Sequence, residues 1–224
     1  MIRAVAFCPH PPLLVPEVAQ GAAPELDELR GACRTAIRRI ASIAPRIVVV
    51  GPGPAWDSFE PFARGSLAGY GVPLEVALGL DEPGPVNLPL SLTIGAWLLR
   101  DALGPNCGAT AVSIGPEQGV MGVFSGEEPT ALLVMGDGSA RRSTSAPGYF
   151  DDRAPGFDAQ LSAALRSGKR VALQVDVHLG DELLATAPRV WSALVPRLDD
   201  ASYTAELLYD AAPYGVGYFV AVWT

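Results

Sequence analysis

The chain has 224 residues, of which 49% are hydrophobic and 18% charged, so it can bury a sizeable core and is not intrinsically disordered. Sixteen basic and 24 acidic side chains give a net charge of −8. Because such an anion repels phosphate backbones, we expect no binding of nucleic acid. Three cysteines without a C-x-x-C pair argue against a disulfide scaffold or a structural zinc site. The first apolar stretch ends at Pro9, too short for a signal peptide or a spanning helix, which predicts a cytoplasmic protein that does not associate with membranes.

Four apolar runs have the length of buried strands, and each is stopped by glycine or proline. They cover Ile2–Cys8 and residues 46–50, 109–114 and 131–135. Nearly continuous apolar strands are typical of a parallel sheet that is covered on both faces.

Helices are predicted between these strands. Residues 24–44 place apolar side chains at steps of three or four, with acidic residues early and arginines late, as the helix dipole favours. Further helices are predicted at Leu90–Leu103, 155–167 and 188–198. This alternation predicts one domain over residues 1–224, an α/β sandwich with a central mixed, largely parallel sheet and helices on both faces.

The C-terminal segment has a different pattern. Residues 203–210 alternate in polarity, and residues 217–223 are rich in aromatic residues and valine, which suggests a β-hairpin at the sheet edge. A short helix at 203–210 is the alternative, because eight residues are too few to decide the period. The aromatic side chains of Tyr218, Phe219 and Trp223 fit a dimer interface and core packing equally well.

His10 is one of only two histidines, and it directly follows the first predicted strand. Ligand sites of α/β sheets lie beyond the carboxyl ends of the strands, and the prolines around His10 stiffen its loop. This position favours a functional imidazole, with a histidine that merely bonds a carbonyl group as the alternative. Cys8 is interpreted as a buried core residue, since a Cys–His pair would need direct contact.

Other loops carry weaker signals. Residues 51–54 contain two prolines that lack the N–H groups of a phosphate-binding loop, so a plain turn is expected. In the loop at 136–140, Asp137 is interpreted first as a turn residue and second as part of a polar site. His178 fits a solvated surface turn, and Glu206 is a solvent-facing carboxylate unless its strand turns it into a cavity.

Three of these features together resemble a known family. The His10-Pro11-Pro12 loop after a strand, the strand and loop at 46–54, and the Gly-Asp-Gly-Ser loop at 136–139 are similar to the catalytic B subunit of class III extradiol ring-cleavage dioxygenases, in the superfamily of Memo-like proteins. The resemblance extends over most of the chain, and residues 213–220 resemble a short actinobacterial-type branch. It implies non-haem Fe(II) held by two histidines and a carboxylate, a further histidine as acid/base, an aromatic small-molecule ligand and a homo-oligomer, with a dimer favoured.

The resemblance assigns roles to particular positions. His10 matches the first metal ligand, and Glu206 is the best match for the carboxylate. Gly53 stands where the second ligand histidine is expected. Ala140 stands where the acid/base histidine is expected, in the loop that also holds Asp137 and Ser139. Without that acid/base imidazole, ring cleavage loses proton transfer worth roughly 10²–10⁴-fold in rate.

Two hypotheses follow from this mixture of matches and replacements. The chain is either a divergent metal-dependent enzyme that uses Fe(II) or another divalent ion, or a non-catalytic relative that binds a small molecule or a protein in the same cleft without metal. A metal site would require His10 and Glu206 to converge at the carboxyl edge of the sheet, with Asp137 as an optional third member. Asp137, Asp57 and His178 are the substitute ligands if their loops approach His10.

Overall fold

A computed structural model describes residues 1–117, 128–199 and 203–224. Its elements in chain order are β1 (Ile2–Cys8), α1 (Pro16–Ala19), α2 (Asp27–Ile43), β2 (Arg46–Pro52), β3 (Asp57–Phe59), β4 (Arg64–Ser66), β5 (Glu75–Ala77), α3 (Leu90–Leu103), β6 (Thr110–Ile114), β7 (Thr130–Met135), α4 (Ala154–Ser167), α5 (Val177–Glu182), α6 (Ala187–Leu194), β8 (Ala205–Ala211) and β9 (Tyr218–Trp223). Among the described helices, none combines the length and apolarity needed to span a bilayer.

Seven of the strands form one mixed sheet in the order β3-β6-β2-β7-β1-β9-β8. The four central strands, β6, β2, β7 and β1, are parallel, while β3, β9 and β8 pair antiparallel with their neighbours. Strands β4 and β5 form a separate small sheet. The predicted α/β sandwich with a largely parallel sheet and a C-terminal hairpin is thereby confirmed.

Apolar side chains cover both faces of the sheet and divide the core into two layers. On one face, alternate residues of β1 such as Ala4, Ala6 and Cys8 pack against α2 and α3. On the other face, Val5 and Phe7 pack against α4 and α6. Phe7 makes edge contacts with the rings of Trp191 and Trp223, at centroid distances of 5.7 and 5.1 Å. Burial on both faces explains why the central strands are apolar without alternation.

Helix boundaries depart from the sequence prediction where proline lies near an end. Leu90–Leu103 is confirmed residue for residue. The helix predicted from residue 24 begins at Asp27, because Pro24 belongs to a 3₁₀ segment over Gln20–Leu26. The helix predicted at 188–198 ends at Leu194 and continues as a 3₁₀ turn that contains Pro196, whose ring is incompatible with the α-helical hydrogen bond.

The C-terminal segment is a hairpin, so the helical alternative for residues 203–210 is wrong. A bulge between Leu207 and Tyr209 turns Leu208 and Tyr209 to the same face, toward α2, which breaks the simple alternation of the sequence. Tyr218 and Trp223 are buried in the core, as is Phe219. Their aromatic character is therefore explained by core packing, and the homodimer stays a prediction.

Candidate functional site

The carboxyl ends of the parallel strands bring together loops that lie far apart in the sequence. The loop after β1 contains His10, the turn after β2 contains Gly53, and the loop after β7 contains Asp137. Gly136 donates its N–H to the carbonyl of Cys8 at 3.0 Å, which continues the β1–β7 pairing into these loops. This is the edge where ligands of α/β sheets bind.

His10 and Asp137 form the centre of this edge. The backbone N–H of His10 donates to Oδ1 of Asp137 at 2.8 Å, and Nδ1 of the imidazole lies 3.5 Å from the same oxygen. His10 is only 8% exposed. Within the described part of the chain, its buried Nδ1 has no hydrogen-bond partner, which is uncommon for a buried polar atom. Asp137 therefore has a polar role beyond the turn that the sequence favoured.

Burial sets the protonation chemistry of the pair. Desolvation raises the pKa of the Asp137 carboxyl, and the neighbouring His10 opposes that rise. Tyr218 of β9 faces the same region: burial raises the pKa of its hydroxyl, and the Asp137 carboxylate adds to the rise. The site thus combines an imidazole, a carboxyl group and a phenol in a poorly hydrated environment.

The loop after β7 is held by hydrogen bonds to the segment between α5 and the start of α6. The Asp137 carbonyl accepts the N–H groups of Thr186 and Ala187, both at 3.0 Å. The Asp137 N–H donates to Oγ1 of Thr186 at 2.9 Å. Ser139 is fully buried and donates its hydroxyl to the Leu183 carbonyl at 3.1 Å. Both groups of the Asp137 backbone are thus bound, which fixes where its side chain begins.

Asp158 is a residue of this region that the sequence analysis did not single out. It lies in α4, is 2% exposed, and accepts the N–H of Ser139 and the guanidinium of Arg142, each at 2.8 Å. Burial raises the pKa of the Asp158 carboxyl, while Ser139 and Arg142 oppose the rise. A lone aspartate on the inner face of an apolar helix was the available signal, since an acidic residue is rarely buried without a partner.

Position 53 has no room for a side chain. A Cβ atom on Gly53 would lie 2.6 Å from Cβ of Ser113 and 3.4 Å from Pro89. Ser113 is itself fixed, because its hydroxyl donates to the Ala55 carbonyl at 2.7 Å and the Gly53 N–H donates to Ile114. The turn after β2 therefore packs directly on β6, in the place where the resemblance implies a ligand histidine.

Ala140 likewise supplies no donor side chain. Its N–H donates to the Leu183 carbonyl at 3.0 Å, and its own carbonyl accepts the N–H of Gly148 at 2.9 Å. Its methyl group packs against the core layer on the α2 side of the sheet. At the position where the resemblance implies an acid/base histidine, the chain thus has a packed methyl group and a backbone that is hydrogen-bonded to two other segments.

The structure places Glu206 away from His10. Glu206 pairs in register with Val222, which in turn pairs with Ala6 of β1. Glu206 therefore lies two strands away from β1, roughly 10 Å across the sheet. Along the strand direction it is level with Ala6, four residues before His10. Its side chain is 53% exposed and accepts a hydrogen bond from Arg39 of α2. Of the three residues expected to converge, His10 and Asp137 meet and Glu206 does not join them.

The other two substitute ligands, Asp57 and His178, lie on the surface. Asp57 begins β3, is exposed, and accepts the backbone N–H of Ser58 at 2.8 Å. His178 is exposed, as expected, but it lies in the helix α5 and not in a turn. Across residues 1–117, 128–199 and 203–224, no group of three histidine, cysteine or acidic side chains could hold a metal ion.

The geometry of the central pair determines what it can do chemically. A carboxylate beside Nδ1 favours the tautomer that carries its proton there, which leaves Nε2 of His10 as a hydrogen-bond acceptor. Such an acceptor suits an acidic hydroxyl group, and the apolar surroundings strengthen the bond. The pair is therefore equipped to bind a hydroxyl group and to accept its proton.

Neither a scan against protein-family models nor a search of curated proteins finds a match to this chain.

Proposed function

We propose that this chain is a divergent relative of the class III extradiol dioxygenase B subunits that binds a small phenolic molecule at His10 and Asp137 without ring cleavage at an iron centre. The observation that carries the proposal is the buried contact between these two residues at the carboxyl edge of the sheet. Nδ1 of the imidazole lies 3.5 Å from Oδ1 of Asp137 without a hydrogen bond, and Nε2 is the acceptor for a ligand hydroxyl. Tyr218 supplies a further aromatic and polar group beside the pair.

The described residues do not fit the iron centre that the resemblance implies. A facial triad needs two imidazoles and one carboxylate around the metal. Here His10 is the one imidazole at the edge. Ser113 occupies the space that a side chain at position 53 would need, and Glu206 pairs with Arg39 elsewhere on the sheet. At this edge, binding of a hydroxyl group and acceptance of its proton are therefore assigned to the chain's own side chains.

The test is a titration of the protein with 4-nitrocatechol, whose absorbance reports ionisation of its hydroxyl. We expect saturable binding with a spectral shift toward the ionised form, because His10 accepts the proton. His10→Ala removes a hydrogen bond to a charged group, worth about 1.5–3 kcal/mol, so Kd rises roughly ten- to hundredfold. Asp137→Asn leaves the size of the side chain unchanged and reduces the spectral shift. His178→Ala is the matched control, since that imidazole is exposed on α5.

Two results would overturn the proposal. Equal affinity of the wild-type protein and the His10→Ala variant would remove His10 from the site. One equivalent of iron in anaerobically purified protein, lost in His10→Ala and accompanied by oxygen uptake with protocatechuate, would establish the dioxygenase instead. We expect elemental analysis to show no stoichiometric iron or zinc.

A further inference from the structure

Asp158 divides its two carboxylate oxygens between two partners in the loop after β7. Oδ1 accepts the backbone N–H of Ser139, and Oδ2 accepts the guanidinium of Arg142, both at 2.8 Å. The space around it is tight: a Cβ atom on Gly217 would lie 2.2 Å from Oδ2, and one on Gly138 would lie 2.8 Å from Oδ1. Two glycines thus leave the space that this carboxylate occupies.

The backbone bound by Asp158 is the continuation of the His10–Asp137 site. Ser139 follows Asp137 by two residues, and this segment crosses the turn before β9 with a reciprocal pair of hydrogen bonds. Gly138 donates to the Gly217 carbonyl and Gly217 donates to the Ser139 carbonyl, each at 2.8 Å. The loop is therefore held by His10 through the Asp137 side chain, by the C-terminal hairpin through Gly217, and by α4 through Asp158.

We propose that Asp158 is a positioning residue for the His10–Asp137 site, acting through the backbone N–H of Ser139. A buried N–H that loses its acceptor must find another, and the loop would shift to do so. Such a shift would move the Asp137 carboxylate relative to the imidazole. The effect on ligand affinity rests on the proposed function, whereas the placement of His10 can be measured without any ligand.

The experiment compares Asp158→Ala with Asp158→Asn in two measurements. The first is the imidazole ¹H–¹⁵N NMR spectrum of the free protein, in which the chain's two histidines make His178 an internal reference for His10. The second is the 4-nitrocatechol titration. Asp158→Ala removes both acceptors, while Asp158→Asn keeps one oxygen for the Ser139 N–H. We expect the alanine variant to shift the His10 signals, leave those of His178 in place, and raise Kd roughly tenfold, the lower end for loss of a supporting residue. The asparagine variant should restore the His10 signals and keep Kd within about threefold of wild type.

Two outcomes contradict the proposal. Wild-type His10 signals in a cooperatively folded Asp158→Ala variant would show that Asp158 does not position the site. Equal shifts of the His10 signals and equal increases in Kd in the asparagine and alanine variants would show that the ion pair with Arg142, and not the hydrogen bond from Ser139, is the contact that matters. If Asp158→Ala does not fold, Asp158→Ser replaces it, because a serine hydroxyl fits the space but is too short to reach Ser139, and the same outcomes apply. Failure of wild-type protein to bind 4-nitrocatechol would remove the proposed function, while the His10 spectra would still decide the role of Asp158.

Discussion

Replacement of Gly53 by alanine tests whether the turn after β2 is closed by packing. The added Cβ would lie 2.6 Å from Cβ of Ser113, a distance at which something must shift. Overpacking of this kind costs about 1–3 kcal/mol. The φ angle of Gly53 is not in the left-handed region, so alanine also gains roughly 0.4–1 kcal/mol from a less flexible unfolded chain. We expect a net loss of about 1–2 kcal/mol, equivalent to a Tm lower by roughly 2–8 °C in a protein of this size.

The assay is urea unfolding of a double-mutant cycle. Ser113→Gly removes the Cβ atom with which the new Cβ at position 53 would clash. The double variant should therefore be more stable than the sum of the two single losses predicts, by a coupling energy of about 1–2 kcal/mol. Ser113→Ala is the matched control: it loses the hydroxyl that bonds Ala55 but keeps Cβ, and we expect coupling below about 0.5 kcal/mol. A Gly53→Ala variant as stable as wild type, or equal coupling with both Ser113 variants, would refute the steric argument. A histidine at position 53 would need still more space, so Gly53→His should not confer metal binding.

Three further predictions concern charged side chains. Arg30→Met should lower the free energy of unfolding by about 1.5–3 kcal/mol, because this buried guanidinium donates to two backbone carbonyls and a carboxylate. Urea unfolding measures the loss, with Arg166→Met as the control, since Arg166 is exposed and its loss should stay below about 0.5 kcal/mol. Similar losses in the two variants would contradict the prediction. Glu206→Gln should lower the free energy of unfolding by less than about 1 kcal/mol, because its ion pair with Arg39 is exposed. The affinity for 4-nitrocatechol in the titration should not change, and a loss of affinity would show that Glu206 belongs to the site. The raised pKa of Asp158 means that the folded protein holds this proton more tightly than the unfolded chain. The contribution of Asp158 to stability therefore decreases as pH rises from about 4 through the folded pKa. Urea unfolding of Asp158→Asn at several pH values should lack this part of the pH dependence, and pH profiles identical to those of the wild type would contradict the raised pKa.

The sheet could be predicted from the sequence because its central strands are buried on both faces. Each appears as a nearly continuous apolar run, and the run over Ile2–Cys8 matches β1 residue for residue. The short strands β3, β4 and β5 have three residues each and carry no such signal. They are defined by pairing with distant segments, which no local pattern records.

The site was predictable to the extent that it follows from strand ends. A histidine after β1 and an aspartate after β7 are expected at the same edge, because parallel strands end there. Only the observed pairing of β1 with β7 makes the two residues neighbours. Glu206 could not be located in the same way, since its level on the sheet depends on the register of β8 with β9 and on a bulge. Asp158 joins the site through tertiary packing of α4, and the closed space at Gly53 depends on Ser113 of β6.

The place of β1 within the sheet has a consequence for how the chain is made. β1 forms hydrogen bonds with β7 on one side and β9 on the other. Because both partners come later in the chain, β1 acquires its neighbours only after residues 130–135 and 218–223 have been translated. Until then an apolar segment with two unpaired edges must be kept from associating with other nascent chains. Translation products that stop before β9 would leave this edge of β1 unpaired, which favours their aggregation.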